Sequence, residues 1–307
     1  MRVLLTGGTG FIGSWVAAEL DARGHSLRIF DHGPRPEALD RIAPGLSAKT
    51  EFVVGDIRDA AAVATAAGGC DAIIHLVGIM TVDCARDPRR GAEINLLGSV
   101  NVFEAALAAG IRRIAYLSSA AVYSPNDPVN PEPMSHYGTY KLAVEGCARS
   151  YCLERGLPST GFRPSIVYGP GESSGISAGP SIACRAAALG EESEIRFSGR
   201  VGFVHVADVA RAIVGSIEAG DEVVRVFDLN GVTAGVDEFV SELVRQEPAS
   251  RTKVTGEPLR IPAQLNGGDS ADWFDALPVT PIAEGIERTI AHYRGVAGVD
   301  GGRCVAP

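Results

Sequence analysis

A serine, a tyrosine and a lysine stand at the spacing needed to oxidise an alcohol. Ser119 ends the run Leu117-Ser118-Ser119, and eighteen residues later comes Tyr137-Gly138-Thr139-Tyr140-Lys141. On a helix, Tyr137 and Lys141 occupy i and i+4 and share a face. A phenol with a pKa of about 10 is a poor base at neutral pH. A neighbouring ammonium and a cationic nicotinamide both favour the phenolate and lower that pKa. Such a tyrosine can take the proton of a substrate alcohol while hydride leaves the same carbon. Ser119 can hold the substrate oxygen in line, and Lys141 can also bond the nicotinamide ribose. By itself a YxxxK pair more often describes a solvated helix face. Tyr140, at another helical angle, reads as core or surface packing.

This chemistry needs a dinucleotide, and the N-terminus offers a seat for one. Gly7, Gly10 and Gly13 follow the apolar run Val3 to Leu5 at three-residue intervals, and Trp15 to Leu20 reads as a helix. Strand, glycine turn and helix set a helix N-terminus against a diphosphate. A β-carbon there would hold the pyrophosphate away from the backbone N–H groups. The second strand ends in Ile29-Phe30-Asp31. A carboxylate at that place accepts from both ribose hydroxyls and repels a 2′-phosphate, which favours NAD over NADP. His32 and Arg35 offer opposing positive charge, and Asp31 also suits a turn before Gly33-Pro34. After the third strand, Asp56 can accept from the adenine amino group while the Ile57 N–H donates to the ring. Asp59 is placed to cap the next helix. The fourth strand ends in His75-Leu76-Val77-Gly78. Leu76 and Val77 would lie along the cofactor, with Gly78 letting it approach the backbone. His75 reads as a hydrogen-bonded core histidine.

The elements around these residues alternate. Ser26 to Phe30, Glu51 to Val54, Ala72 to Val77 and Arg113 to Leu117 read as strands, and Glu37 to Ile42, Ala60 to Ala67 and Gly91 to Ala109 as helices. A long helix, Tyr137 to Glu154, leads to a strand over Thr160 to Tyr168. Short apolar strands separated by helices imply right-handed crossovers and a parallel sheet covered on both faces. The fold class is α/β, a Rossmann-type doubly wound parallel sheet with a smaller mixed α/β C-terminal substrate-binding region. We divide the chain into a cofactor domain at 1–168 and a cap at 169–307, a soft boundary because Val224 to Leu229 can rejoin the main sheet. Within the cap, Pro180 to Leu189, Ala207 to Glu218, Val236 to Gln246 and Ile282 to Arg294 read as helices. Ile195 to Phe197 and Gly202 to His205 read as extended.

Composition bounds the partners. The net charge of −9 disfavours nucleic acid and anionic membranes. No run of eighteen apolar residues exists to span a membrane. A first strand starting at Arg2 leaves no room for a targeting segment, and the expected location is cytoplasmic. The six cysteines, Cys70, Cys84, Cys147, Cys152, Cys184 and Cys304, are scattered, so we expect buried free thiols and neither a metal site nor a disulfide framework.

Taken together, the motifs resemble the extended short-chain dehydrogenase/reductase family, in particular its NAD-dependent sugar epimerase/dehydratase group. They run from Thr6-Gly7-Gly8-Thr9-Gly10-Phe11-Ile12-Gly13 through Asp31, Asp56-Ile57-Arg58-Asp59, Asn95-Leu96-Leu97-Gly98-Ser99-Val100-Asn101 and Ser118 to Tyr123. The YxxxK pair, Arg163 to Gly171 and Phe203 to Ala210 complete the set, in the family's order along nearly the whole chain. The resemblance implies that Gly7, Gly10 and Gly13 cradle the pyrophosphate with the Phe11 and Ile12 N–H groups, that Asp31 binds the ribose, and that Asp56 and Ile57 flank adenine. It implies Ser119, Tyr137 and Lys141 as the catalytic set and Pro164 at the nicotinamide end. Two departures concern the substrate. Ser165-Ile166 stands where nucleotide-sugar enzymes often have Asn, and Val201 replaces an arginine for which Arg200, one place earlier, is expected to substitute. These changes weaken the case for a diphosphate-bearing substrate. Ala120 and Ala121 stand where dehydratases of the family carry acidic residues, which argues against dehydration. The expected function is oxidation of a carbohydrate hydroxyl, with sugar epimerisation first and a sugar, sugar-acid or polyol dehydrogenase second. A non-catalytic dinucleotide sensor is a remote third. Family members often pair through the helices at Gly91 to Ala109 and Tyr137 to Glu154. A homodimer here stands beside ordinary intramolecular packing of the same small residues.

Overall fold

The apolar runs near the N-terminus are too short to be helices and too continuous to face water on either side. A computed structural model describes residues 1–220 and 222–301, the last five by backbone alone. In chain order the first half contains β1 (Arg2–Thr6), α1 (Phe11–Ala22), β2 (Ser26–Asp31), α2 (Pro36–Ile42), β3 (Glu51–Val54), α3 (Ala60–Ala67) and β4 (Ala72–His75). Next come α4 (Thr81–Arg86), α5 (Pro88–Ala92), a π-helical turn at Glu93–Leu97, α6 (Gly98–Ala109) and β5 (Arg113–Leu117). The hairpin β6 (Tyr123–Ser124) and β7 (Asp127–Pro131) precedes α7 (His136–Arg155), β8 (Thr160–Pro164) and β9 (Ile166–Tyr168). The remainder comprises α8 (Gly179–Leu189), β10 (Glu192–Ile195), β11 (Arg200–His205), α9 (Val206–Ala219), β12 (Arg225–Leu229), β13 (Val232–Gly235), α10 (Val236–Gln246), β14 (Arg251–Val254), α11 (Asp272–Asp275) and α12 (Ile282–Gly301).

Seven parallel strands in the order β12-β8-β5-β4-β1-β2-β3 form the main sheet. The strand order reverses between β1 and β4, and that switch opens a crevice at the strands' C-terminal ends. Val3, Leu5, Ile29 and Ile74 pack under α1 and α9, with Val16, Leu20, Val209 and Ile213 fully buried there. Leu4, Phe30, Ile73 and Ile114 face the other way, onto α3, α6 and α7. A third apolar cluster, built on Phe203, Phe239, Tyr168 and Ile286, belongs to the C-terminal elements around the three-stranded sheet β13-β11-β9.

The expected strand over Thr160 to Tyr168 is two strands in two sheets. Pro164 has no N–H to continue a ladder, and the Ser165 N–H donates to Leu229 O at 3.0 Å as the last tie to the main sheet. Ile166–Tyr168 then pairs with Phe203–His205 instead. The strand near Val224 does rejoin the main sheet, as β12 beside β8, and α9 packs on α1. The segment 206–229 therefore lies with the dinucleotide fold although it follows residue 168. The expected helix Gly91 to Ala109 is broken by the π-helical turn. Among the cysteines, Cys70, Cys84 and Cys184 are buried free thiols, whereas Cys147 and Cys152 are partly exposed; Cys304 lies outside the described residues. No helix among the described residues is long and apolar enough to cross a membrane.

Candidate active site

The glycine turn is built by close approach. Gly7 has φ +72°, which side-chain-bearing residues rarely adopt, and its N–H donates to Phe30 O at 3.0 Å. A Cβ on Gly13 would lie 2.2 Å from Gly7 O, so only glycine lets α1 start this close to β1. A Cβ on Gly7 would meet the Val77 nitrogen at 3.2 Å, and Leu76 N–H donates to Thr6 O at 3.1 Å. The turn and the end of β4 therefore touch across the switch point. Phe11 and Ile12 open α1, whose first N–H groups have no intrahelical partner. This cradle, which any β-carbon would fill, fits a dinucleotide pyrophosphate.

Asp31 ends β2 and accepts from Thr9 Oγ1 at 2.9 Å and from the Gly33 N–H at 3.2 Å. Its carboxylate is thus turned toward the glycine turn. Arg35 donates to Thr9 O at 3.2 Å, while His32 is exposed. Asp56 is held by its own neighbour. Hydrogen bonds from the Arg58 guanidinium and backbone lower its pKa to about 2. Asp56, Arg58, Asp59, Glu93 and Leu97 line a groove of about 440 Å³. Asp59 caps α3 by accepting from Ala61 and Ala62, as its position predicts. The Ile57 side chain is buried against Gly98, and its carbonyl accepts from Asn101. His75 is the core histidine expected: it bonds Thr6 Oγ1 at 2.7 Å and Ser99 Oγ at 3.0 Å, and burial pulls its pKa to about 3.

The catalytic candidates meet beyond the ends of β4 and β5. Ser135 caps α7, accepting from Gly138 N–H at 3.1 Å. A Cβ on Gly138 would lie 2.0 Å from Ala121 O, so glycine brings the start of α7 hard against the turn after Ser119. The Ser119 hydroxyl accepts from Ala121 N–H at 3.1 Å and lies close enough to the Tyr137 phenol to act on its pKa. Lys141 Nζ donates to Leu117 O at 2.7 Å and lies 5.8 Å from the Tyr137 ring centroid. A Cβ on Gly78 would lie 3.5 Å from that ammonium. The cradle, the end of β4 and the Ser119–Tyr137–Lys141 set are therefore contiguous. Tyr140 turns away, donating to Pro88 O at 2.8 Å.

One electrostatic expectation is corrected. In the protein alone the phenol is not acidified: burial raises Tyr137 to about 12, against the lowering effect of Ser119. Burial likewise lowers Lys141 to about 8. Desolvation of the charged form is the largest cause of both shifts, so acidification falls to a further positive neighbour. Pro164 and Ser165 are buried where β8 gives way to β9, and Ser165 Oγ has no hydrogen-bond partner among the described residues. Arg200 is 56% exposed and pairs with Glu238 at 2.7 Å. Its side chain is engaged with the α10 side and not with Ser119 or Tyr137. Sequence pattern assigns Asn95 no role of its own. It is buried in the π-helical turn and braces the loop after β4, accepting from Ile79 N–H at 2.8 Å and donating to Ile79 O at 2.9 Å. A π-helical turn in a helix often marks a functional site, but its widened hydrogen bonding leaves no periodic trace in sequence.

Residues 3–229 match the NAD dependent epimerase/dehydratase family. The chain belongs to that family. Among its relatives is a UDP-glucose 4-epimerase of Mycolicibacterium smegmatis, 30% identical over 96% of this chain and 99% of that one. A 3-beta-hydroxysteroid dehydrogenase of Mycolicibacterium neoaurum is 33% identical over 56% of this chain and 49% of its own length. The chain spans about half the length of several curated relatives it matches. A UDP-glucose 4-epimerase of Thermotoga maritima solved with UDP-glucose superposes with TM-score 0.83 at 26% identity, covering 97% of this chain and all of that one. The α/β fold with its seven-stranded parallel sheet matches that epimerase structure.

Proposed function

We propose that the chain is an NAD-dependent enzyme that oxidises a carbohydrate hydroxyl and whose overall reaction is epimerisation of a sugar or nucleotide sugar. The observation that carries this reading is the shared site of Tyr137 and Lys141 on α7, with the ammonium 5.8 Å from the Tyr137 ring centroid, beside Ser119 and contiguous with the glycine cradle. NAD, when bound, supplies the hydride acceptor and a cationic ring. Gly7, Gly10, Gly13 and the Phe11 and Ile12 N–H groups would hold its pyrophosphate, Asp31 its adenosine ribose, and Asp56 and Ile57 would flank its adenine. Leu76, Val77 and Pro164 would line its path to Tyr137. Ser119 fixes the substrate hydroxyl and Tyr137 takes its proton. Inversion would be complete when hydride came back to the other face of the carbonyl carbon while Tyr137 returned the proton to its oxygen. The overall likeness to epimerases across nearly the full chain supports this reading.

A dehydrogenase is the second reading, favoured by one observation. Val201 is buried, and the adjacent Arg200 is paired with Glu238, so neither supplies a free cation for a diphosphate. Ser165 would then face a smaller sugar, sugar acid or polyol. Incubating the protein with NAD and candidate sugars separates the readings. Inverted product without accumulating NADH supports epimerisation, and stoichiometric NADH supports dehydrogenation. Tight NAD binding with no turnover of any candidate sinks both and leaves a dinucleotide sensor.

The free thiols fit a reducing, cytoplasmic setting. A homodimer through α6 and α7 has partial support. Ala105, Ala106 and Ala148 pack inside the subunit, but Val100, Ala143, Gly146 and Cys147 line an open groove of about 470 Å³ between the two helices. Leu153 at 80% exposure projects from the same helix as the last three.

A further inference from the structure

The buried ionic cluster beneath the candidate catalytic set has no part in the chemistry assigned above. Arg163 on β8 donates to both oxygens of Glu145 on α7, from Nε at 2.8 Å and from Nη2 at 2.6 Å. Its Nη1 donates to the Tyr123 hydroxyl and lies 3.5 Å from Asp228 on β12. Tyr123 in turn donates to Asp228 at 3.1 Å. Arg163, Glu145 and Asp228 side chains are each 7% exposed or less. Two carboxylates thus share one guanidinium in a site shut off from water, an arrangement that is costly unless every lone pair is used.

The spare lone pairs are used at two places that matter. Ser118, the residue before Ser119, donates to Glu145, and Glu145 sits one turn beyond Lys141. Asp228 accepts from the N–H groups of Gly267 at 2.9 Å and Gly268 at 2.7 Å. Glycine is needed at 267, where a Cβ would lie 2.2 Å from Val129 O. The same segment carries Leu265, which is buried with Ala120, Val122 and Tyr123 against Leu142. Leu265 N–H and C=O also bond Asn230 at 2.7 and 2.8 Å. The segment Leu265 to Gly268, far along the chain, therefore grips the turn after Ser119 twice: through an apolar contact and through the ionic cluster.

We propose that Arg163, bridging Glu145 and Asp228, is a positioning residue that couples the docked segment Leu265 to Gly268 to the geometry of Ser119, Tyr137 and Lys141. Docking of the segment fixes Asp228, Asp228 and Tyr123 fix Arg163, and Arg163 fixes Glu145 and with it the register of α7 on β5. Gly7, Gly10, Gly13, Asp31 and Asp56 are not members of this path, so most of the grip on the dinucleotide stands outside the coupling.

The catalytic part of this inference rests on the proposed function; the coupling itself does not, and the test separates them. Amide hydrogen exchange on the full chain, without ligands, compares wild type with Asp228→Asn, which leaves the Arg163–Glu145 pair in place. Faster exchange at Ala120 to Tyr123 and along the first turns of α7, as well as at Leu265 to Gly268, is expected. Faster exchange confined to Leu265 to Gly268 overturns the coupling. With a substrate in hand, Arg163→Lys keeps the charge but loses the fork. It should lower kcat about 10- to 100-fold, the scale of a small misplacement of reacting groups, with NAD affinity within about twofold. If Arg163→Lys does not fold, Asp228→Asn takes its place in the kinetics. An unchanged kcat in a folded variant, or NAD affinity falling in parallel with kcat, overturns the catalytic role.

Discussion

Gly13 approaches Gly7 so closely that a methyl group on its α-carbon would sit 2.2 Å from the Gly7 carbonyl oxygen. Gly10 is less crowded, at 3.2 Å from the same oxygen. Gly13→Ala must therefore push α1 off β1, costing about 1–3 kcal/mol as overpacking usually does, and must weaken NAD binding. Gly10→Ala should cost less. Thermal unfolding and NAD titration of both variants check the order; equal losses would mean that the close approach is not what the glycines provide.

Asp31 is fixed by Thr9 and Gly33, facing the turn that would hold the pyrophosphate. Replacing it with alanine removes an acceptor for the ribose and a repulsive charge against a 2′-phosphate. Asp31→Ala should weaken NAD about 10- to 100-fold, the worth of charged hydrogen bonds, and relax discrimination against NADP. Titration with both nucleotides tests this, and two unaltered affinities would reassign the ribose site.

Tyr137 and Lys141 are both buried against their charged forms, with pKa values of about 12 and about 8. In the free protein the ammonium loses its proton across pH 8 while the phenol stays protonated. A cationic nicotinamide adds a positive neighbour and moves the phenol downward. The tyrosinate difference spectrum against Tyr137→Phe should be absent below about pH 11 in the free protein and appear at lower pH once NAD is bound. Turnover of Tyr137→Phe should fall about a hundredfold or more with NAD affinity nearly intact. A phenolate band indifferent to NAD would remove the cofactor from its acidification.

His75 is neutral between Thr6 and Ser99, its folded-state pKa of about 3 lying below the unfolded value of about 6.5. The unfolded chain therefore binds the proton first. The stability due to neutral His75 is complete above pH 6.5 and is lost as pH falls toward 3. His75→Ala takes one partner from each of two hydroxyls, which keep Leu76 N–H and Asn95 O, and leaves a cavity, so it should cost about 2–4 kcal/mol near neutrality. Its stability should also fall less steeply on the acid side. Denaturant melts over that pH range measure both effects.

Much of this protein is legible in local pattern. Glycine spacing, the acid at the end of β2 and the i, i+4 pair on α7 each depend on a few neighbouring residues, so sequence alone determined the α/β class and the family and singled out Ser119, Tyr137 and Lys141 as the candidate set. The tertiary structure decided what depends on distant neighbours. Proline at 164 ends one ladder, but only the presence of β11 tells where the chain pairs next. Arg200 stands one place from the missing arginine, and only the fold brings Glu238 of α10 beside it. The acidity of Tyr137 turned on burial, which no spacing reports. Arg163, Glu145 and Asp228 lie on three elements separated by more chain than any motif spans, and a charge network closes only when the fold brings its members together.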